Sequence, residues 1–161
     1  MILYHGSNVE IDIVDLSLSK VGKDFGIGFY LSADRDQAFD MAKRKAAQTE
    51  SGEPILNVYE FDVDNKEIGD LSILKFDGYT KEWAEFILKN RQNRSRRQIH
   101  DYDIVIGPIA DDTVGFQIRR FSAGIINIET FIEELKYKRI TLQYFFATPK
   151  ALTFLQKTNE L

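Results

Sequence analysis

Residues 3–7 of the chain read LYHGS, and residues 24–32 read DFGIGFYLS. The first stretch places His5 and the flexible Gly6 after a short apolar start, which predicts an imidazole and an accessible backbone at the end of a strand. The second stretch predicts a strand over residues 25–31, whose two glycines allow a ligand or a neighbouring segment to approach closely. Together these two stretches decide the assignment of the fold.

Outward from these stretches, hydrophobic periodicity predicts interleaved helices and strands. Helices are expected after the capping residues Asp34, Thr80 and Thr148, and also over residues 129–137. The helix predicted after Thr148 includes Leu155. Further strands are predicted at residues 1–4, 55–63, 102–106 and 140–147, with turns around Gly69 and Gly78. Because the order has no regular βαβ rhythm, an α+β fold is favoured over a doubly wound one.

Size and composition indicate a soluble globular protein. The chain has 161 residues and a mass of 18.6 kDa, which predicts a single domain over residues 1–161. It has no cysteine, no apolar run of the ~20 residues that a membrane span needs, and no visible secretory signal, so we expect a cytoplasmic protein without membrane association. A net charge of −4 disfavours nucleic-acid binding driven by overall charge.

The two glycine-containing stretches resemble the nicotinamide-binding half of the ADP-ribosyltransferase superfamily, in the branch of diphtheria toxin and the poly(ADP-ribose) polymerases. In that branch a His-Gly-Ser/Thr strand end and a Gly-x-Gly-x-Tyr strand form the walls of an NAD cleft. The whole chain is similar to a bacterial family of ADP-ribosyltransferase-like domains found beside small partner genes in toxin–antitoxin-like arrangements. The resemblance implies two antiparallel β-sheets that form an NAD cleft with flanking helices, and no metal.

The resemblance also implies roles for individual residues. The side chain of His5 would bind ribose hydroxyls, the backbone of Gly6 would pair with the nicotinamide carboxamide, and Ser7 would be a local support. Tyr30 would stack on the nicotinamide ring, and Gly28 would let the dinucleotide lie close. Judged without the resemblance, a packing or surface role is the commoner one for His5, and packing in the core is the commonest role for Tyr30.

Two positions depart from the family pattern. The polymerases carry a small hydroxyl residue eight positions after the tyrosine, where this chain has Ala38. The transferring enzymes carry a glutamate on a late strand, where this chain has Gln143. Glutamine keeps a hydrogen-bond acceptor but lacks the charge that stabilises a developing cation. The implied catalytic set is therefore Gln143, His5 and Tyr30.

Two other clusters have alternative interpretations. Asp103, Asp111 and Asp112 could form a metal or acid–base cluster, but no histidine lies at ligand spacing, so turn and helix-capping roles are favoured. The basic run 91–97 could hold a pyrophosphate or an RNA acceptor. Its position after a helix makes a solvated C-terminal cap the simpler interpretation.

The resulting hypothesis is an NAD-dependent mono-ADP-ribosyltransferase-like enzyme, a component of a bacterial toxin system. It would cleave NAD, its substrate, at the nicotinamide bond and pass ADP-ribose to an unidentified acceptor, or to water as an NAD glycohydrolase. Expected partners are that acceptor and a small antitoxin protein, with nucleic acid only as an acceptor. One alternative is an inactive fold that binds ADP-ribose-type ligands or a protein partner. Another is an RNA 2′-phosphotransferase-like enzyme, which Tyr30 disfavours because a histidine is expected there.

Overall fold

The computed structural model describes residues 1–158, which form seven strands and five α-helices. The strands are β1 (Ile2–Ser7), β2 (Phe29–Ser32), β3 (Ile55–Phe61), β4 (Ile73–Lys75), β5 (Ile104–Pro108), β6 (Leu142–Phe146) and β7 (Leu155–Thr158). The α-helices are α1 (Arg35–Thr49), α2 (Lys81–Gln92), α3 (Asp112–Ser122), α4 (Ile128–Leu135) and α5 (Pro149–Leu152), and short 3-10 helices cover Leu16–Leu18 and Lys66–Asp70. This interleaving of helices and strands agrees with the predicted α+β class.

The strands form one seven-stranded sheet in the order β4-β5-β6-β2-β1-β3-β7. Neighbours are antiparallel except β4 and β5, which are parallel. We expected two antiparallel sheets, and the single mixed sheet of residues 1–158 differs from that prediction. The join between its two halves is narrow, however, because β1 and β2 share only the pair Tyr4 and Ser32.

The core consists of two apolar clusters on opposite faces of the sheet. Successive strand residues point to opposite faces, so Phe145 lies in one cluster and Phe146 in the other. The Phe145 cluster is covered by α2, α3 and α4, whose buried members include Trp83 and Phe131. No helix within residues 1–158 is long and apolar enough to cross a membrane.

Side-chain caps explain where the helices begin. Each capping oxygen accepts a hydrogen bond from a backbone N–H in the first turn, which satisfies a donor that the helix itself cannot pair. The caps predicted from the sequence are confirmed at Asp34, Thr80 and Thr148. Asp111 caps α3 in the same way.

The aspartates considered as a metal cluster have structural roles. Besides the cap at Asp111, the carboxylate of Asp103 accepts hydrogen bonds from the hydroxyl of Thr148 at 2.6 Å and from the backbone N–H of Ser72 at 2.9 Å. Within residues 1–158 no group of three or more His, Cys, Asp or Glu side chains could hold a metal ion. The favoured interpretation, turns and helix capping, is confirmed for these two residues.

The strand predicted over residues 25–31 begins only at Phe29. Residues 25–28 form a loop because Gly26 adopts a φ of 98° and the side-chain amide of Gln98 binds both backbone groups of Ile27. A left-handed φ at Gly26 cannot continue a strand. The prediction was therefore wrong for the first four residues of the segment.

Short strands account for the other errors. The helix after Thr148 ends at Leu152 and does not reach Leu155. Leu155 instead begins β7, where it pairs with Phe61 of β3. The segment predicted as turns contains β4, and β5 continues through Pro108, beyond the predicted end of that strand at residue 106. Pairing partners far away in the chain fix these segments, so local patterns give little sign of them.

Candidate functional site

The candidate site lies where β1 and β2 separate, between residues 5–6 and Tyr30. After the pair of Tyr4 with Ser32 the register between the two strands ends, although β1 continues to Ser7. The imidazole of His5 enters this gap, where its Nδ1 lies 2.7 Å from the carbonyl oxygen of Tyr30. We call the space bounded by His5, Gly6 and Tyr30 the β1–β2 gap.

His5 is held as a neutral imidazole with a defined tautomer. A carbonyl oxygen can only accept a hydrogen bond, so Nδ1 of His5 carries the hydrogen and donates to the carbonyl oxygen of Tyr30. The other ring nitrogen, Nε2, is then unprotonated and can act as an acceptor. The ring also stacks on Phe29, with centroids 4.5 Å apart. Burial lowers the pKa of His5 to about 4, the hydrogen bond to Tyr30 opposes this, and the positive charges of Lys45 and Lys23 add to it. Nε2 has no partner within residues 1–158 and can accept a hydrogen bond from a ligand hydroxyl.

Gly6 directs its backbone into the gap. Met1 and Phe61 exchange both of their backbone hydrogen bonds, at 3.0 and 2.7 Å. Because alternate residues of a strand turn their N–H and C=O groups to opposite sides, Met1, Leu3 and His5 face β3, and Gly6 faces β2. The register gives Gly6 no paired residue on β2. Its N–H and C=O therefore point into the gap, in the place where the resemblance implies a carboxamide.

The side of Gly6 that would carry a Cβ faces α1. A Cβ there would lie 1.9 Å from the carbonyl oxygen of Ala38 and 2.7 Å from the N atom of Ala42. Glycine at this position is therefore required for packing of α1 on β1, a reason independent of any ligand. The adjacent Ser7 is fully buried, and its Oγ accepts a hydrogen bond from the N–H of Val9 at 3.4 Å.

Tyr30 is held firmly by its own loop. Its hydroxyl accepts a hydrogen bond from the N–H of Phe25 at 3.0 Å and donates to the carbonyl of Gly26 at 2.7 Å. Its ring centroid lies 4.9 Å from that of Phe145, and Nζ of Lys23 lies 5.2 Å from it. Burial raises the pKa of the hydroxyl, so it stays protonated. Stacking of a ligand on this ring requires Lys23 to move aside.

Gly28 has a packing role next to Tyr30. A Cβ at this position would lie 2.2 Å from the ring of Phe145 and 2.6 Å from the carbonyl oxygen of Phe146. Its N–H donates to Oγ of Ser19 at 3.0 Å. The close approach that we expected at this glycine is made by neighbouring segments of the chain itself.

Gln143 lies on β6, directly opposite Ser32 on one side and Gly107 on the other. The side chain is 8% exposed, and its Nε2 donates a long hydrogen bond of 3.4 Å to the carbonyl of Pro108. Since paired residues share a face, Gln143 shares one with Ser32 and Tyr4. Gly6 and Tyr30 lie on this face too, whereas His5 is on the opposite face and reaches only into the gap.

A family model described as "Protein of unknown function (DUF3990)" matches residues 1–156. The chain belongs to the DUF3990 family. Neither the search of curated proteins nor the search of solved structures found a match. The match covers all of the segments that form the gap in this DUF3990 protein.

The contacts that fix the loop before β2 were not predicted from the sequence. The basic run 91–97, interpreted as a solvated cap, instead docks on this loop: Arg91 pairs with Asp24 at 2.6 Å, and Arg96 donates to the carbonyls of Ser17 and Ser19. The nearby His100 donates from Nε2 to the carbonyl of Phe25 at 2.8 Å. The mixture of arginine with glutamine, asparagine and serine over residues 91–98 is the sequence signal that could have indicated a docking segment.

Proposed function

We propose that this protein is an NAD-dependent mono-ADP-ribosyltransferase-like enzyme whose NAD cleft is the β1–β2 gap. The observation that carries the proposal is the early end of the β1–β2 register, which leaves Gly6 without a paired residue on β2, beside the neutral His5. A primary carboxamide has one acceptor oxygen and an NH2 group with two donors, so its oxygen and one N–H complement the N–H and C=O of a strand residue. Nicotinamide carries such a group.

In this proposal each residue has a limited task. Gly6 holds the carboxamide, and Nε2 of His5 accepts a hydrogen bond from a ribose hydroxyl. The amide of Gln143 lies on the face of Gly6 and Tyr30 and offers its oxygen to the N-ribose. When the glycosidic bond breaks, its electron pair leaves with nicotinamide and positive charge develops at the anomeric carbon. Water or the hydroxyl or amine of an acceptor then bonds to that carbon and loses its proton.

The uncharged Gln143 also supports a second candidate, an inactive fold that binds NAD or ADP-ribose without cleaving NAD. Its amide is held by the carbonyl of Pro108 and can offer only a dipole to a developing cation. In either case a small antitoxin protein stays part of the proposal as the expected partner. Measurement of NAD turnover separates the two candidates.

The first test measures the binding of NAD and of nicotinamide to the purified protein. Thermal shift and isothermal titration calorimetry are the two methods. We expect both ligands to bind the folded protein. A folded protein that binds neither ligand contradicts both candidates. Nicotinamide release is then measured for the wild type and for Gln143→Glu, Gln143→Ala and Gln156→Glu. The last variant makes the same charge change on an exposed position of β7.

We expect Gln143→Glu to release nicotinamide at least tenfold faster than the wild type, which corresponds to about 1.4 kcal/mol of transition-state stabilisation. Gln143→Ala should lose the activity of the wild type, and Gln156→Glu should leave it unchanged. Circular dichroism shows whether the buried carboxylate is tolerated. An active wild type that neither substitution at Gln143 alters would place the catalytic group elsewhere.

A further inference from the structure

Three lysines lie near the open end of the β1–β2 gap, and none of them forms an ion pair within residues 1–158. Lys20, Lys23 and Lys45 lie in this region, and within residues 1–158 none of the three has a carboxylate within ion-pair distance. The nearest acidic neighbour in sequence, Asp24, is already paired with Arg91 at 2.6 Å. The cluster therefore concentrates positive charge without an ion-paired carboxylate within the described residues, in a protein whose net charge is −4.

The fold brings two of these lysines to the gap from opposite sides. Lys23 comes from the loop before β2, and its Nζ lies 5.2 Å from the ring centroid of Tyr30. Lys45 comes from α1, where Ala38, Ala42, Lys45 and Thr49 follow one helical stripe. This stripe lies along β1, because Ala42 packs against Gly6 and Thr49 accepts a hydrogen bond from Asn8 at 3.2 Å.

The lysines influence each other and the gap. The pKa of Lys23 is lowered, first by desolvation and then by the charges of Lys45 and Lys20, whereas the charge of Asp24 opposes this shift. The same two charges, Lys45 and Lys23, help to lower the pKa of His5. Like charges held together in this way favour the binding of an anion, which removes their repulsion.

The basic run 91–97 is a weaker candidate for binding an anion. Arg91 is neutralised by Asp24, and Arg96 is used to hold the carbonyls of Ser17 and Ser19. An open groove of about 430 Å³ beside this run is lined by Ser95, Arg97, Gln98, Ile99 and Asp101, none of which lies in the gap. By contrast, Lys23 lies over the ring of Tyr30, and the charges of Lys23 and Lys45 both act on His5.

We propose that Lys23 and Lys45 form an anion site at the open end of the β1–β2 gap that holds the diphosphate of a dinucleotide substrate. The ammonium groups donate charge-assisted hydrogen bonds to phosphate oxygens. Binding a diphosphate draws Lys23 away from the ring of Tyr30 and uncovers that ring for nicotinamide. This inference rests on the proposed function for the identity of the dinucleotide, but the anion site itself does not depend on catalysis.

The test measures the affinities of inorganic pyrophosphate, NAD and nicotinamide for the wild type, Lys23→Gln, Lys45→Gln and the double variant. Lys43→Gln is the matched control, because Lys43 lies on the same helix but is paired with Asp40 on an exposed surface. We expect each single substitution to weaken pyrophosphate and NAD binding at least fivefold and the double variant at least twentyfold. Lys45→Gln should leave nicotinamide affinity unchanged, and Lys43→Gln should change none of the affinities by more than twofold.

The outcomes separate this inference from the proposed function. Lysine-dependent pyrophosphate binding without binding of NAD or nicotinamide supports the anion site and contradicts the proposed function. Binding of NAD and nicotinamide that both lysine substitutions leave intact overturns the anion site alone. Pyrophosphate binding that persists in the double variant overturns it as well. A lysine-dependent affinity for a single-stranded oligoribonucleotide, with no response to pyrophosphate, also overturns the assignment and indicates an RNA surface.

Discussion

At the residue scale, His5 is predicted to remain neutral well below the ordinary pKa of histidine. Its pKa is lowered from 6.5 to about 4 because the folded chain buries the imidazole. Between these two values the unfolded state binds a proton that the folded state does not. Stability is therefore complete above about pH 6.5 and decreases as the pH falls towards 4, by up to about 3 kcal/mol for a shift of this size.

This prediction can be checked by NMR titration of the histidine ring protons. His5 and His100 are the two histidines of the chain, and His100→Gln assigns the remaining signal to His5. The ring signal of His5 should stay constant down to about pH 5. In urea unfolding, the free energy of unfolding should fall less between pH 7 and pH 5 for His5→Gln than for the wild type. Titration of His5 near its ordinary pKa would contradict the assigned burial.

At the scale of elements, the packing of α1 on β1 depends on the absence of a side chain at Gly6. We expect Gly6→Ala to destabilise the fold by about 3 kcal/mol or more, because its Cβ would meet the backbone of Ala38 and Ala42, which cannot rotate away. The free energy of unfolding in urea measures this change. Gly69→Ala is the control, because a Cβ at Gly69 meets nothing within 4 Å. Equal stabilities for the two variants would mean that the contact between α1 and β1 is looser than described.

The docking of residues 91–100 on the loop before β2 gives a second prediction at this scale. The side chain of Gln98 satisfies both the N–H and the C=O of Ile27, so Gln98→Ala leaves two backbone groups without their partners. We expect a loss of about 1–3 kcal/mol. Hydrogen exchange should become faster at residues 24–30 than in the rest of the sheet.

Arg97→Ala is the control for Gln98→Ala, because the exposed side chain of Arg97 makes no hydrogen bond or ion pair within residues 1–158. Its exchange at residues 24–30 should match that of the wild type. If Gln98→Ala changed exchange uniformly over the whole chain, the loop would not be an independently held segment.

At the scale of the whole molecule, the two core clusters share one sheet and should unfold together. Trp83, the single tryptophan of the chain, reports on the cluster of Phe145, whereas Phe146 belongs to the other cluster. We expect Phe146→Ala to cost about 3–5 kcal/mol and to lower the unfolding midpoint reported by Trp83 fluorescence as much as the midpoint reported by circular dichroism. Two separate transitions would mean that the faces are not cooperative.

Several features followed from the sequence because they depend on contacts within a few residues. The caps at Asp34, Thr80 and Thr148 each join a side chain to a backbone N–H in the next helical turn. Hydrophobic periodicity likewise predicted α1, α2, α4 and most strands. The sequence also placed His5 and Gly6 near the end of a strand, because a short apolar start followed by a flexible glycine is a local pattern.

The tertiary structure alone decided the remaining features, because they depend on segments far apart in the chain. Gln98 and Ile27 are 71 residues apart, yet their hydrogen bonds turn a predicted strand into a loop. The single pair between β1 and β2, the strands β4 and β7, and the approach of Lys45 to the gap depend in the same way on long-range partners. The chain thus determined its helix starts and candidate residues locally, whereas the gap that brings those residues together exists only once β1, β2 and α1 have packed.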